Sequence, residues 1–191
     1  MIDLRLSDLP NAVKVDGKSF SIHTDFRVWI SFADLIQKGE SIIKTFELCL
    51  TDESILELEK YEPLSEDMVL NLYKALIDFF IDDNVTPKGS KSGEKLIDYV
   101  LDGEYIYGSF MAQYGLDLVD AEHLHWHKFK AMLLSLPSNS KIKEIMSYRG
   151  YQASTKKQEE VMRELKASWQ LPYTPTVEEE KAKAEFDALF D

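Results

Sequence analysis

Strict alternation of apolar and polar side chains is convincing at one place, near the start of the chain. Val13-Lys14-Val15 and Ser19-Phe20-Ser21-Ile22 alternate as half-buried strands do. Asp16-Gly17 lies between them and tolerates the positive backbone angles of a type I′ turn. The pattern therefore predicts one β-hairpin. It must lie against helices, because an isolated hairpin is marginally stable in water.

After the hairpin, apolar residues recur at three- and four-residue spacing, which is typical of helices. The clearest helix follows Ser65, which can cap it, and its stripe is Met68, Leu72, Leu76, Phe79 and Phe80. Further helices are predicted from Thr24 to residue 38, over 94–101, 102–114 and 116–136, and from Asn139 or Ser140 to Tyr148. The pattern leaves the secondary structure of the apolar segment 42–58 open.

The composition changes near residue 150, where the chain becomes more charged. We predict a compact helical domain with an N-terminal hairpin over residues 1–150 and C-terminal amphipathic helical arms over 151–191. The fold class is therefore mainly α. The apolar stripes of the arms must either fold back on the domain or meet another chain. The candidate partner contacts are Val161, Leu165, Trp169, Phe186, Leu189 and Phe190.

Charge narrows the classes of partner. The chain has 191 residues, with 34 acidic and 22 basic side chains and a formal net charge of -12. This surplus disfavours nucleic acids and anionic membranes, which bind mainly through lysine and arginine. The longest apolar run, 69–81, is interrupted by charges and is too short to span a bilayer. The one cysteine, Cys49, lies among apolar residues, as a buried thiol in a reducing cytoplasm does.

The most conspicuous chemical motif is His123-Leu124-His125-Trp126-His127. On a helix, His123 and His127 share a face with Asp120, which is metal-ligand spacing. Lys130 lies over the same face, however, and its fixed positive charge opposes a divalent cation. We therefore predict no metal, no cofactor and no enzymatic activity, with hydrogen-bonded histidines as the main interpretation. A metal-dependent enzyme that uses Asp120, His123 and His127 is the alternative from a different functional class.

Several stretches together resemble a known phage family over about residues 10–150. They are Val13-Lys14-Val15-Asp16-Gly17-Lys18, Ile22-His23-Thr24-Asp25-Phe26-Arg27-Val28-Trp29-Ile30, Tyr105-Ile106-Tyr107, Gln113-Tyr114-Gly115-Leu116-Asp117-Leu118, Leu124-His125-Trp126-His127-Lys128-Phe129 and Met146-Ser147-Tyr148-Arg149. They are similar to the "gene product fifteen" family of tailed phages and prophages of Gram-positive bacteria. The family's motif often has a second tryptophan where this chain has His127.

The resemblance implies a role in building the phage tail. The family's genes typically lie just ahead of the tape-measure gene, a position that usually encodes tail assembly chaperones. Such proteins keep the helical tape-measure protein soluble until tail-tube subunits polymerise around it. The implied partners are the tape-measure protein, the tail-tube protein and further copies of the chain, in the host cytoplasm. A structural tail or neck component of the virion is the alternative.

Overall fold

The computed structural model describes residues 8–61, 63–81, 95–151 and 159–172, together with Ile2 and Arg5. Within these residues the chain forms one two-stranded antiparallel hairpin and eight helices. The strands are β1 (Ala12–Val15) and β2 (Lys18–Ser21), and the helices are α1 (Phe26–Gln37), α2 (Ile42–Cys49), α3 (Asp52–Glu59), α4 (Glu66–Ile81), α5 (Gly103–Tyr114), α6 (Trp126–Leu134), α7 (Lys141–Arg149) and α8 (Glu159–Trp169). This confirms the mainly α fold with an N-terminal hairpin.

The hairpin turns at the predicted pair. Asp16 and Gly17 have φ angles of 50° and 78°, as a type I′ turn requires, and Val15 pairs with Lys18. One face of the hairpin is buried through Val13 and other apolar side chains, and β1 lies against α4. The alternation therefore places its apolar residues in the core.

Aromatic side chains dominate the core. Phe129 of α6 stacks on Phe26 of α1 with ring centroids 4.9 Å apart, and on Phe110 of α5 at 5.2 Å. Cys49 is also buried, and burial raises the pKa of its thiol to about 12. The fully buried aromatic residues are Phe20, Trp29, Phe32, Phe110, Trp126 and Phe129. In the described part of the chain, no helix is both long and apolar enough to cross a bilayer.

Local capping signals identified several helix ends correctly. The Ser65 hydroxyl accepts a hydrogen bond from the backbone N–H of Met68 at 3.3 Å, at the start of α4. Gly115 ends α5 with a φ of 60°, and Ser140 is the residue before α7. The open segment 42–58 forms α2 and α3, which Leu50 and Thr51 separate.

The predicted helix over 116–136 is wrong in its first half, because α6 begins at Trp126. Hydrogen bonds from elsewhere compete for the backbone there. Arg27 Nη2 donates to the carbonyl oxygens of Leu118 and Ala121 at 2.8 and 2.7 Å. The Asp117 carboxylate accepts from the backbone N–H of Val119 at 2.8 Å. These bonds fix turns where intrahelical bonds would otherwise form.

Two smaller predictions also need correction. The Lys95–Leu101 part of the predicted helix over 94–101 is irregular and turns around Asp98, whose Oδ1 accepts from the backbone N–H of Val100 at 2.9 Å. The cap of α1 is Asp25 rather than Thr24, since the Asp25 carboxylate accepts from the N–H of Arg27 at 3.0 Å. The predicted loop over 82–93 lies outside the described residues.

A buried ion pair joins α5 to α7 and α8. Arg149 Nη1 and Nη2 contact the two carboxylate oxygens of Asp102 at 2.5 and 2.8 Å, and both residues are buried. Arg149 also donates to the carbonyl oxygens of Leu96 at 3.0 Å and of Trp169 at 2.7 Å. One guanidinium thus ties the 95–102 segment and the last residue of α8 to α7. The predicted division at residue 150 stays a prediction.

Loss of the Asp102 carboxylate should strongly destabilise the fold. Asp102→Ala leaves the Arg149 charge buried without its partner, and we expect the free energy of unfolding to fall by about 3–5 kcal/mol. Urea denaturation measures this change. The matched control is Glu144→Ala, which removes an exposed carboxylate near Lys141 on α7; it should change stability little. Equal, small losses in both variants would contradict the assigned role.

Candidate functional site

The histidine motif lies at the start of α6 rather than along a helix. His125 is the N-cap, and its Nδ1 accepts a hydrogen bond from the backbone N–H of His127 at 3.1 Å. The His125 Nε2 donates to the carbonyl oxygen of Pro10 at 3.0 Å. Because one ring nitrogen accepts while the other donates, His125 must be neutral in this arrangement.

The next side chains of α6 cap the carbonyl end of α4. The Trp126 indole Nε1 donates to the carbonyl oxygen of Phe80 at 3.0 Å, and His127 Nε2 donates to that of Phe79 at 3.1 Å. The Lys130 ammonium also donates to the carbonyl oxygen of Phe80, at 2.6 Å. The last carbonyl groups of a helix lack intrahelical donors and carry partial negative charge. The motif and Lys130 together therefore supply the missing donors and a positive charge.

This geometry does not create the metal-ligand face that the alternative hypothesis requires. Asp120 and His123 are exposed, whereas His127 is buried. The His123 Nε2 lies 3.1 Å from the hydroxyl of Thr24. Among the residues that the structure describes, no group of three potential ligands could hold an ion. The helical placement of His123 is wrong, because an antiparallel bridge between Asp25 and His125 keeps the chain extended before α6.

Burial keeps both core histidines neutral. It lowers the pKa of His127 to about 4, although the hydrogen bond to the Phe79 carbonyl partly offsets this shift. Burial also lowers the pKa of His125, although its hydrogen bond to Pro10 opposes the shift. The His127 ring stacks on Phe79 at a centroid distance of 4.4 Å, so it behaves as part of the aromatic core.

The second candidate site is an apolar groove between α1 and residues 95–107, here called the α1 groove. Two neighbouring cavities of about 350 and 550 Å³ form it, and both contact Ile30 and Tyr99. The smaller cavity reaches Gln37 at the end of α1, and the larger reaches Phe26 at its start. The groove thus follows the whole of α1, which is about 18 Å long.

Apolar side chains on the rim of the α1 groove are unusually exposed. Val100 is 60% exposed and Val119 is 76% exposed, and both line the cavities. Exposed apolar side chains beside an apolar cleft are characteristic of a binding surface. The groove is the site that the analysis of sequence motifs missed.

The walls of the α1 groove are fixed by polar contacts. The Arg27 guanidinium binds the 118–121 carbonyls at one end and the Asp25 carboxylate, so it joins the turn that carries Val119 to α1. Arg149 and Asp102 hold the 95–102 segment on the other side, as described above. Two arginines, each of which donates to several backbone carbonyl groups, therefore hold the groove walls in place.

The predicted partner contacts have different environments. Trp169 lies on its own domain, 5.5 Å from the Tyr105 ring between centroids, with the Lys141 ammonium 4.8 Å from its ring. Leu165 is half-buried, and Val161 is 63% exposed. The second-arm positions Phe186, Leu189 and Phe190 lie outside the described residues. Partner contact through these six positions stays a prediction.

Comparison with known families decides the classification. The family described as bacteriophage Gp15 protein matches residues 6–171. The chain belongs to the bacteriophage Gp15 family. It is therefore a phage protein of the structural or morphogenesis class. No curated protein and no solved structure matches it significantly.

Several stretches that carry the Gp15 resemblance hold the groove and its neighbours together. In the tyrosine stretch, the Tyr107 hydroxyl donates to the Asp117 carboxylate at 3.0 Å, beside the larger cavity. The Tyr114 hydroxyl donates to the carbonyl oxygen of Met132 at 2.8 Å and so joins α5 to α6. Arg149, in the last stretch, binds Asp102. These residues of the resembling stretches thus have structural roles.

Titration of His127 should make stability depend on pH. The unfolded side chain binds a proton near its ordinary pKa of about 6.5, whereas the folded one does so near 4. The contribution of His127 to the free energy of unfolding should therefore be fully present above pH 6.5. It should fall by about 3 kcal/mol as the pH drops to 4 and change little below that pH. Denaturant titrations at several pH values measure it.

Two variants isolate that effect. His127→Gln can keep a donor near Phe79 but does not titrate, so its stability should fall less than that of the wild type between pH 6.5 and 4. His23→Gln is the matched control, because His23 is exposed; it should retain the wild-type profile. Indistinguishable profiles for the wild type and His127→Gln would refute the assignment.

Zinc or nickel ions should not stabilise the protein. The Nε2 atoms of His125 and His127 both donate to backbone carbonyl groups, so a metal there would have to displace structural hydrogen bonds. We expect the Tm of protein without a histidine tag to remain unchanged when either ion is added. An upward shift that increases with ion concentration, and that His123→Ala removes, would establish the alternative metal site.

Proposed function

We propose that the protein is a non-enzymatic tail assembly chaperone that binds a helical segment of the tape-measure protein in the host cytoplasm. Membership of the Gp15 family supports a role in phage morphogenesis. The observation that carries the finer proposal is the apolar α1 groove, with Val100 and Val119 exposed on its rim. The client segment lies along α1 in this proposal.

The size of the α1 groove suits a helical client. A groove that follows α1 for about 18 Å accepts about three turns of a second helix. An amphipathic helix places apolar side chains on one face every three or four residues, and such a face binds in an apolar groove. A long helical protein offers many segments of this kind, so several copies of the chaperone can bind along it.

Charge supports the same function. The formal net charge of -12 makes the surface around the apolar groove strongly solvated, and it makes copies of the protein repel one another. Bound copies would give their client the same negative charge and so limit its aggregation. An acidic surface also favours client segments whose polar face is basic, mainly by increasing the association rate. Tail-tube subunits would then take over the client as they polymerise.

Co-expression with the tape-measure protein of the same phage tests the proposal. The soluble fraction of the tape-measure protein should rise strongly in the presence of this chain. Val100→Glu combined with Val119→Glu puts charges on the groove rim and should weaken client binding by about tenfold or more. Binding of the purified proteins measures this directly.

The control is Leu56→Glu combined with Leu70→Glu. These residues are 61% and 57% exposed, on α3 and α4, and do not line the groove. The control should bind the client as the wild type does. A tape-measure protein that stays insoluble beside the wild-type chain would refute the proposal. Presence in purified virions at a fixed copy number would instead identify a structural tail or neck component.

A further inference from the structure

The described part of the chain ends beside the wall of the α1 groove. Trp169 packs on Tyr105, and its carbonyl oxygen accepts the 2.7 Å hydrogen bond from Arg149. Glu104 and Ile106, the neighbours of Tyr105, both line the larger cavity. The last described residues thus lie near the first turn of α5, which forms one groove wall.

The residues that follow carry an apolar stripe of the kind that the groove accepts. Phe186, Leu189 and Phe190 have i, i+3 and i+4 spacing, so a helix would place them on one face. The 13 residues between Pro172 and Phe186 allow the two to lie up to about 46 Å apart when extended. This reach exceeds the 18 Å length of α1, so it permits docking anywhere along the groove.

We propose that residues 173–191 bind in the α1 groove of their own chain and compete there with the helical client. A short covalent connection that spans the distance gives an effective concentration in the millimolar range, which favours the chain's own groove over that of a second copy at micromolar protein. The docking itself does not depend on the proposed function, but the competition does. The stripe predicted to contact a partner is in this case held by its own domain until the client arrives.

Charge makes this segment a weak occupant. Residues 173–191 contain six acidic and two basic side chains, and the chain as a whole has a net charge of -12. The apolar stripe therefore draws the segment into the groove while like charges oppose it. A client helix with a basic polar face lacks that repulsion, so it can displace the segment.

Cysteine cross-linking of the full chain tests the docking. Val100→Cys combined with Leu189→Cys places one thiol on the groove rim and one in the stripe. The native Cys49 is buried, and its raised pKa keeps it unreactive. Under mild oxidation we expect a disulfide within one chain, at a rate independent of protein concentration. The control pair, Leu56→Cys with Leu189→Cys, should react at least about tenfold more slowly.

Charge substitutions in the segment separate docking from random collision. Adding Phe186→Glu and Phe190→Glu to the Val100→Cys pair should abolish the rapid reaction. Ala184→Glu with Ala188→Glu adds the same charge on the opposite helical face and should leave the reaction largely intact. Equal rates for the two cysteine pairs would overturn the proposal. Disulfides formed mainly between chains would overturn it in favour of exchange between copies.

Client binding tests the competition separately. If the segment fills the groove for about 90% of the time, deleting residues 173–191 should tighten client binding about tenfold. Weaker binding after deletion would show that the segment contacts the client directly, and it would overturn the proposed competition. If the cross-link forms but no client binds the wild type or the deletion variant, the proposed chaperone function fails while the docking stands.

Discussion

The carbonyl end of α4 is a partly buried group of hydrogen-bond acceptors, and the structure depends on the donors that reach it. Trp126, His127 and Lys130 provide them from little more than one turn of α6. Unsatisfied buried carbonyl groups are costly, so α6 must keep one position relative to α4. That position places Phe129 against Phe26 of α1. The helix that forms one wall of the groove is thereby joined to the core.

The same principle extends to the two arginines. Arg27 and Arg149 each donate to backbone carbonyl groups that no secondary structure satisfies. Each also binds a carboxylate: Arg27 binds Asp25, the cap of its own helix, and Arg149 binds Asp102. Irregular segments on both sides of α1 are thus held by side-chain hydrogen bonds. This explains how a groove with apolar, exposed rims can persist in a small acidic protein.

Sequence reasoning succeeded where the signals were local. The Asp16-Gly17 turn, the Ser65 cap and the Gly115 end depend on residues a few positions apart, and the structure has all three. It failed over 116–125 because Arg27, about 90 positions away, fixes that backbone. The sequence patterns did not predict the groove for a similar reason. Its walls come from α1 and from residues 95–107, which are far apart in the chain, and neither carries a distinctive motif alone.

If the proposed chaperone function holds, the apolar lining of the α1 groove determines how a client would be released. Its cavities are bordered mainly by apolar side chains, and the Arg27 guanidinium is already bound to Asp25 and to backbone carbonyls. A client held by apolar contact alone gains no deeply buried ion pair, whose loss would slow dissociation. Many weak copies along one helix can still protect it, because each covers a separate segment. Polymerising subunits can then replace them one at a time, which a single tight complex would prevent.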